Sequence, residues 1–217
     1  LGTLEYDETL ALEDHEVAIT FDDGPLPPYT PKILDTLAAE CVKATFFVAG
    51  QMARAYPAVL KREYNEGHTI GTHTEHHRFL NRLRPAAVTK EIADGIATVD
   101  QILGPGAAAP FFRFPYLEPN RSLEAHALKL GLAIWSTDFH ANDWNRLSPQ
   151  QVANIAIARL ERNKKGILLL HDIHERTALA LPIILRELKK RGYRVVHAVP
   201  AANPPHKAAS APSRPLQ

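Results

Sequence analysis

Ile19-Thr20-Phe21-Asp22-Asp23-Gly24-Pro25 is the stretch on which the rest of the chain depends. An apolar, β-favouring run (Val17, Ile19, Phe21) stops at two adjacent carboxylates followed by Gly-Pro, a turn signal. Neighbouring residues on a strand point to opposite faces, so paired acids can take different jobs only where the strand ends. One can bind a metal while the other works on a water beside it. Taken alone, Asp-Asp-Gly-Pro is equally readable as a solvated turn. The other strand ends of the chain separate these readings.

Working outward, residues 15–23 read as the first strand and residues 1–14 as a short arm at the edge of the domain. Thr30-Pro31 offers an N-cap with proline at the first helical position, for a helix to about residue 40. Residues 44–50 are a buried strand, followed by a helical stretch to about residue 66 that breaks near Pro57. A weaker strand, 68–74, ends in a histidine cluster. In 85–103, Val88, Ile92, Ile96, Val99 and Ile102 share one helical face. Strand-like 111–116, a short helix over 122–130 and strand 132–137 follow, then an Asp/His-rich loop. A helix from Ser148-Pro149 to about residue 163, a buried strand 166–170 ending at His171, a helix 177–191 and a strand 193–199 close the domain. The Pro/Ala-rich residues 201–217 are expected to form a poorly ordered tail.

Strand and helix thus alternate about seven times, the pattern of a parallel α/β sheet or barrel in a single domain. The chemically active side chains all fall just after strands, the edge where α/β folds bind ligands.

At 217 residues, 45% hydrophobic and 23% charged, the composition is that of a soluble globular domain. A net charge of +1 without a basic cluster does not favour nucleic acid or an anionic membrane as partner. No apolar run approaches the roughly 20 residues of a membrane span. One cysteine, Cys41, excludes an internal disulfide framework. The chain opens at Leu1 without an initiator methionine, which suggests a product whose targeting segment has been removed.

His73-Thr74-Glu75-His76-His77 spaces His73 and His77 four apart, so on one helical turn both imidazoles would aim the same way. Two such nitrogens and a carboxylate such as Asp23 make a facial ligand set with positions left for water and substrate, the form of zinc catalytic sites. His68 and His76 read as hydrogen-bonding residues rather than ligands. Phe112-Arg113-Phe114-Pro115-Tyr116 ends a strand with a guanidinium fork able to hold a carboxylate such as Asp22. Backbone N–H groups in the turn that follows can face a developing oxyanion. Asp138-Phe139-His140-Ala141-Asn142-Asp143-Trp144 offers two carboxylates, a histidine and an aromatic wall. Leu169-Leu170-His171-Asp172 puts a histidine at the exit of a buried strand, a place suited to a general acid.

In this order, these stretches resemble the polysaccharide deacetylase family, the NodB-homology carbohydrate esterases. The resemblance runs from Ile19 to about Val199: Thr20 to Pro25, His73 to His77, Arg113-Phe114-Pro115-Tyr116 and Leu169-Leu170-His171 match its motifs. It implies a distorted (β/α) barrel of about seven parallel strands over residues 15–200. It implies a divalent metal, usually zinc with cobalt as an alternative, on Asp23, His73 and His77. Asp22 would be the general base on the attacking water, oriented by Arg113, and a backbone N–H near Tyr116 would face the oxyanion. His171 would protonate the departing amine, with Leu169 and Trp144 lining the acetyl pocket. The substrate implied is an acetylated glycan (peptidoglycan, chitin-type oligomers or xylan), met outside the cytoplasm and without membrane insertion. N-acetyl removal is expected ahead of O-acetyl. A small-molecule amidase on the same scaffold, or a glycan-binding module without catalysis, are the alternatives.

Two departures stand out. Four residues separate Asp138 from Asp143, where the family motif has two between its aspartates, which leaves two candidates for the partner of His171. Asp143, directly before Trp144, is the expected one; Asp172 is disfavoured because neighbours on an extended segment point apart. Leu117-Glu118-Pro119 follows Tyr116 in place of the frequent glycine.

Overall fold

In the computed structural model, which describes residues 1–201, the first strand is the hub of the sheet. β1 (Glu16–Asp22) pairs in parallel with β2 (Thr45–Val48), β7 (Gly166–His171) and β8 (Arg194–Val195). Beyond β2 lie β3 (Thr69–Thr72), β4 (Phe111–Arg113) and β5 (Ala133–Trp135); beyond β7 lies β6 (Phe139–His140). Every pairing is parallel, and the order is β5-β4-β3-β2-β1-β7-β6 with β8 set on β1. No pairing joins β5 to β6 among the described residues, so the barrel is open on that side.

Between the strands run α1 (Tyr29–Ala39), α2 (Gly50–Ala55), α3 (Pro57–Asn65), α4 (Pro85–Leu103), α5 (Arg121–Lys129), α6 (Pro149–Asn163) and α7 (Glu175–Lys190). Alternation along β1 sorts its residues between two environments. Val17, Ile19 and Phe21 face the main core with Phe46, Val48, Leu168, Leu170 and the apolar faces of α1, α6 and α7. Each of those three side chains is 1% exposed or less, a burial that contributes about 1.5–3 kcal/mol apiece. Ala18, Thr20 and Asp22 face the barrel interior, where Ala18 packs with Phe47, Phe111, Trp135 and Ile167. A second cluster, Phe112, Phe114, Val88, Ile92 and Leu123, seats α4 and α5 on β4.

Most element positions agree with the sequence reading, including the proline break between α2 and α3 and the span of α4. α6 begins with a capping box: Ser148 Oγ accepts from Gln151 N (3.2 Å) and Gln151 Oε1 accepts from Ser148 N (2.8 Å). Four expectations are corrected. Thr30 does not cap α1; the helix starts at Tyr29, two residues before the expected Pro31, and the Thr30 hydroxyl donates to Asp172 instead. The strand expected over 111–116 stops at Arg113, because Pro115 has no N–H to give and Tyr116 and Leu117 adopt φ +63° and +52°. The Asp/His-rich loop contains β6, too short to show a period, which brings the strand count to eight. The last strand covers Arg194–Val195 only, since the chain then crosses to β3, where Thr69 Oγ1 donates to the Ala198 carbonyl (2.8 Å).

The arm of residues 1–14 runs along the open side. Ser136 N donates to the Leu1 carbonyl (2.6 Å) and Leu4 N to the Thr137 carbonyl (2.9 Å). Of the tail expected over 201–217, residues 202–217 lie outside the described residues.

Candidate active site

The register of the sheet assembles the site. Asp22 on β1 pairs with His171 on β7, and Thr20 with Leu169, so these side chains line the interior in two adjacent rows at the carboxyl edge. They open into a cleft of about 370 Å³, lined also by Asp23, His73, His77, Tyr116 and Trp144.

Asp23 reaches this cleft because its backbone leaves the strand: φ is +78°, a left-handed conformation that turns its carboxylate to the same side as that of Asp22. Asp23 Oδ1 lies 3.1 Å from His77 Nε2 and 3.5 Å from His73 Nε2. Ligand atoms about 2.0–2.1 Å from one tetrahedral ion stand about 3.3 Å apart, which matches both separations. Asp23 Oδ1 is buried and has no hydrogen-bond partner, as expected of an atom that awaits a cation. His73 Nδ1 bonds the Arg113 carbonyl (2.7 Å), which puts the proton on Nδ1 and leaves the Nε2 lone pair facing Asp23. Burial pushes the His73 pKa down to about 3, so the ring is neutral and fit to ligate. Asp23, His73 and His77 therefore form a set that can hold a divalent metal ion.

The two histidines do not share a helical turn. Residues 73–77 are irregular, with Thr74 at φ +65° and His77 at φ +53°, and the loop is shaped by α4 instead. Glu91 accepts from His76 N and bonds His76 Nδ1 (both 2.9 Å), and its carbonyl accepts from Glu75 N (2.9 Å). Thr98 Oγ1 donates to the buried Glu75 (2.8 Å). His68 is buried beneath β2, its Nδ1 accepting from Ala44 N (3.1 Å).

Asp22 is 3% exposed and held from behind by Arg113, which is fully buried. Arg113 Nη1 donates to Asp22 Oδ1 (2.6 Å) and Thr20 Oγ1 (2.8 Å), and Nη2 to the Ser136 carbonyl (2.7 Å), with the guanidinium 4.2 Å from the Phe47 ring centre. Asp22 Oδ2 is left facing the ligand set, 3.8 Å from His73 Nε2. Burial raises the Asp22 pKa while the Arg113 charge opposes it, which suits a carboxylate that must accept a proton.

Across the cleft, His171 Nδ1 bonds Asp143 Oδ1 (2.9 Å), while Asp143 Oδ2 accepts from His171 N and Thr177 Oγ1 (both 2.7 Å). Burial alone would depress His171, but the bond and charge of Asp143, joined by Asp23 and Asp22, hold its pKa up at about 9. Asp138 sits elsewhere and binds the arm: it accepts from Thr3 N (2.8 Å), Thr3 Oγ1 (2.7 Å), Thr9 Oγ1 (2.7 Å) and Ile167 N (2.6 Å). Asp172 turns its side chain away from the cleft. The imidazole of His171 meets Trp144 edge to face, with ring centres 5.5 Å apart. Tyr116 likewise meets His77 at 4.6 Å. Trp144 (45% exposed) and Tyr116 (47%) thus present aromatic surface beside the general-acid candidate and beside a metal-ligand candidate, while Leu169 forms the buried floor.

The sequence reading missed His174, Phe114 and Leu117 in the cleft lining, and Thr20 and Thr177 as hydrogen-bond partners. His174 had a signal, its spacing of three from His171 past a strand end. The threonines had none.

Residues 10–135 match the family model described as polysaccharide deacetylase. The chain is 36% identical over 187 residues to a peptidoglycan-N-acetylglucosamine deacetylase of Listeria monocytogenes, covering 86% of this chain and 38% of that protein. A Bacillus cereus protein of the same description is 34% identical over 186 residues, 83% of this chain and 84% of its own length. Among solved structures, a peptidoglycan deacetylase of Bdellovibrio bacteriovorus superposes with a TM-score of 0.81 at 36% identity, covering 89% of this chain and 55% of that one.

Proposed function

The chain belongs to the polysaccharide deacetylase family, and from that premise we propose that it removes N-acetyl groups from an acetylated cell-wall glycan, peptidoglycan first among them. The observation that carries this assignment is the convergence, in one cleft, of a three-residue ligand set with a carboxylate and an imidazole in opposite protonation roles. The related deacetylases named above act on peptidoglycan, and a chitooligosaccharide deacetylase of Bradyrhizobium is 32% identical over 200 residues. Such glycans lie outside the cytoplasm, which is where we place the enzyme. No helix of the described residues is long and apolar enough to cross a membrane.

Asp23, His73 and His77 would hold a divalent ion, with zinc or cobalt suited to a donor set of two imidazoles and one carboxylate. When bound, the ion supplies Lewis acidity to the acetyl carbonyl and acidifies the attacking water. Asp22 takes the proton of that water through Oδ2, while Arg113 keeps Oδ1 fixed and the carboxylate in one orientation. His171, protonated below about pH 9, gives a proton to the departing nitrogen, without which an amine is a poor leaving group. The backbone N–H at Tyr116 stabilises the oxyanion, and Leu169 and Trp144 hold the acetyl methyl. Residues 15–200 form the catalytic unit, braced by the 1–14 arm.

Acetate release from peptidoglycan fragments and chitooligosaccharides, before and after chelation, tests the assignment. Wild type should lose turnover on chelation and regain it with Zn²⁺ or Co²⁺. Asp22→Asn should keep its ion and lose about 10²-fold or more in kcat. Chelator-insensitive turnover, or near wild-type rates for Asp22→Asn, would overturn it.

A further inference from the structure

Asp172 follows His171 directly, yet its carboxylate takes no part in the chemistry above. It is 1% exposed and makes no ion pair among the described residues. Its Oδ1 accepts the Gly24 N–H (3.0 Å) and its Oδ2 the Thr30 hydroxyl (2.6 Å). Thr30 Oγ1 in turn accepts the Leu26 N–H (2.8 Å), and the Asp172 N–H reaches the Asp22 carbonyl (3.4 Å). The main chain on both sides of Asp23 is thus tied to Asp172 and Thr30. A Cβ on Gly24 would stand 1.9 Å from Asp172 Oδ2, so the carboxylate closes on this turn only because residue 24 is glycine.

What these bonds hold is an uncommon backbone. Asp23 at φ +78° adopts a left-handed conformation that is strained for an L-residue and persists only where the surroundings over-determine it. If the chain continued extended, Asp23 would face away from Asp22 and from both histidines. A buried carboxylate without a cation is itself costly unless its oxygens are satisfied, and here both are satisfied by this one turn.

We infer that Asp172 is a positioning residue for the metal ligand Asp23, clamping Gly24 and Thr30 so that the left-handed turn aims Asp23 at His73 and His77. This rests on the metal site proposed above, and the test separates the two. Metal-stripped protein is titrated with Zn²⁺ by calorimetry, with thermal unfolding of the apo-protein followed alongside. Wild type should take up one ion and Asp23→Ala none. Asp172→Ala should bind about 10- to 100-fold more weakly, the scale on which hydrogen-bond partners of metal ligands act. Asp172→Asn keeps an acceptor for Gly24 and should stay within about threefold of wild type, since a neutral acceptor retains roughly half the strength of a charged one. Thr30→Val, which keeps the side-chain shape and removes the hydroxyl, should also bind more weakly than wild type and serves if Asp172→Ala does not fold. Wild-type affinity in a folded Asp172→Ala, or in Thr30→Val, overturns the inference. So does equal weakening in the Ala and Asn variants, which would point to charge rather than to the clamp. A wild-type protein that takes up no ion overturns the metal site and this inference together.

Discussion

His171 and Asp143 show how one contact sets a working range of pH. Burial works against a charged imidazole, yet a buried carboxylate 2.9 Å away holds the proton on His171 up to about pH 9. In the general-acid role proposed for it, His171 would stay protonated across the neutral range, and the rate should fall on the alkaline side as it loses its proton. Asp143→Asn removes the charge that holds this proton. Its pH–rate profile should move the alkaline limb to lower pH with metal content unchanged, and a limb that stays in place would remove Asp143 from this role. The same shift carries a stability consequence. The His171 pKa is raised in the folded state above its ordinary 6.5, so its contribution is full below pH 6.5 and lost as pH rises through about 9. Wild-type unfolding free energy should decline over that window, and Asp143→Asn should flatten the decline.

At the scale of elements, α4 acts as the mould for the histidine loop. Gly95 lets the helix approach until a Cβ there would stand 2.7 Å from the Thr74 carbonyl carbon and 3.1 Å from Glu75 N. Gly to Ala in an exposed helix interior normally gains about 1 kcal/mol. Here the sign should reverse: Gly95→Ala must push the 73–77 loop off the helix, lowering thermal stability and metal affinity together. A variant with raised melting temperature and unchanged Zn²⁺ affinity would show that the loop does not depend on this approach. Thr89→Ala, on an exposed part of the same helix, is the matching control.

At the scale of the whole molecule, the open side of the barrel is closed by the arm, with Asp138 as the anchor. Its carboxylate takes four donors from residues 3, 9 and 167. Asp138→Ala leaves a partly buried N–H and hydroxyl without acceptors, at a cost of about 1–3 kcal/mol in unfolding free energy. Its alkaline rate limb should not move, in contrast to Asp143→Asn. Denaturant unfolding and the pH–rate profile of the two variants, measured together, separate anchor from acid partner; a shifted limb in Asp138→Ala would merge the roles.

The order of strands and helices, the span of α4 and the strand-end placement of Asp22, Asp23, His73, Arg113 and His171 could be read from the chain itself. Those features depend on local periodicity, on turn chemistry at Gly24-Pro25 and on the alternation of faces along a strand. That Asp143, directly before Trp144, meets His171 could be read, but the contacts that place it could not, because the path of its loop is set by β6 pairing with β7 and by Thr177 from α7. Nor could the reason His73 and His77 converge: the spacing suggested a helical turn, whereas positive φ values and the Glu91 and Thr98 side chains of α4 fold the loop. Thr30 likewise looked like a cap until Asp172, 142 residues away, claimed its hydroxyl. Contacts across such separations carry no period and no motif; only packing decides which buried polar group satisfies which.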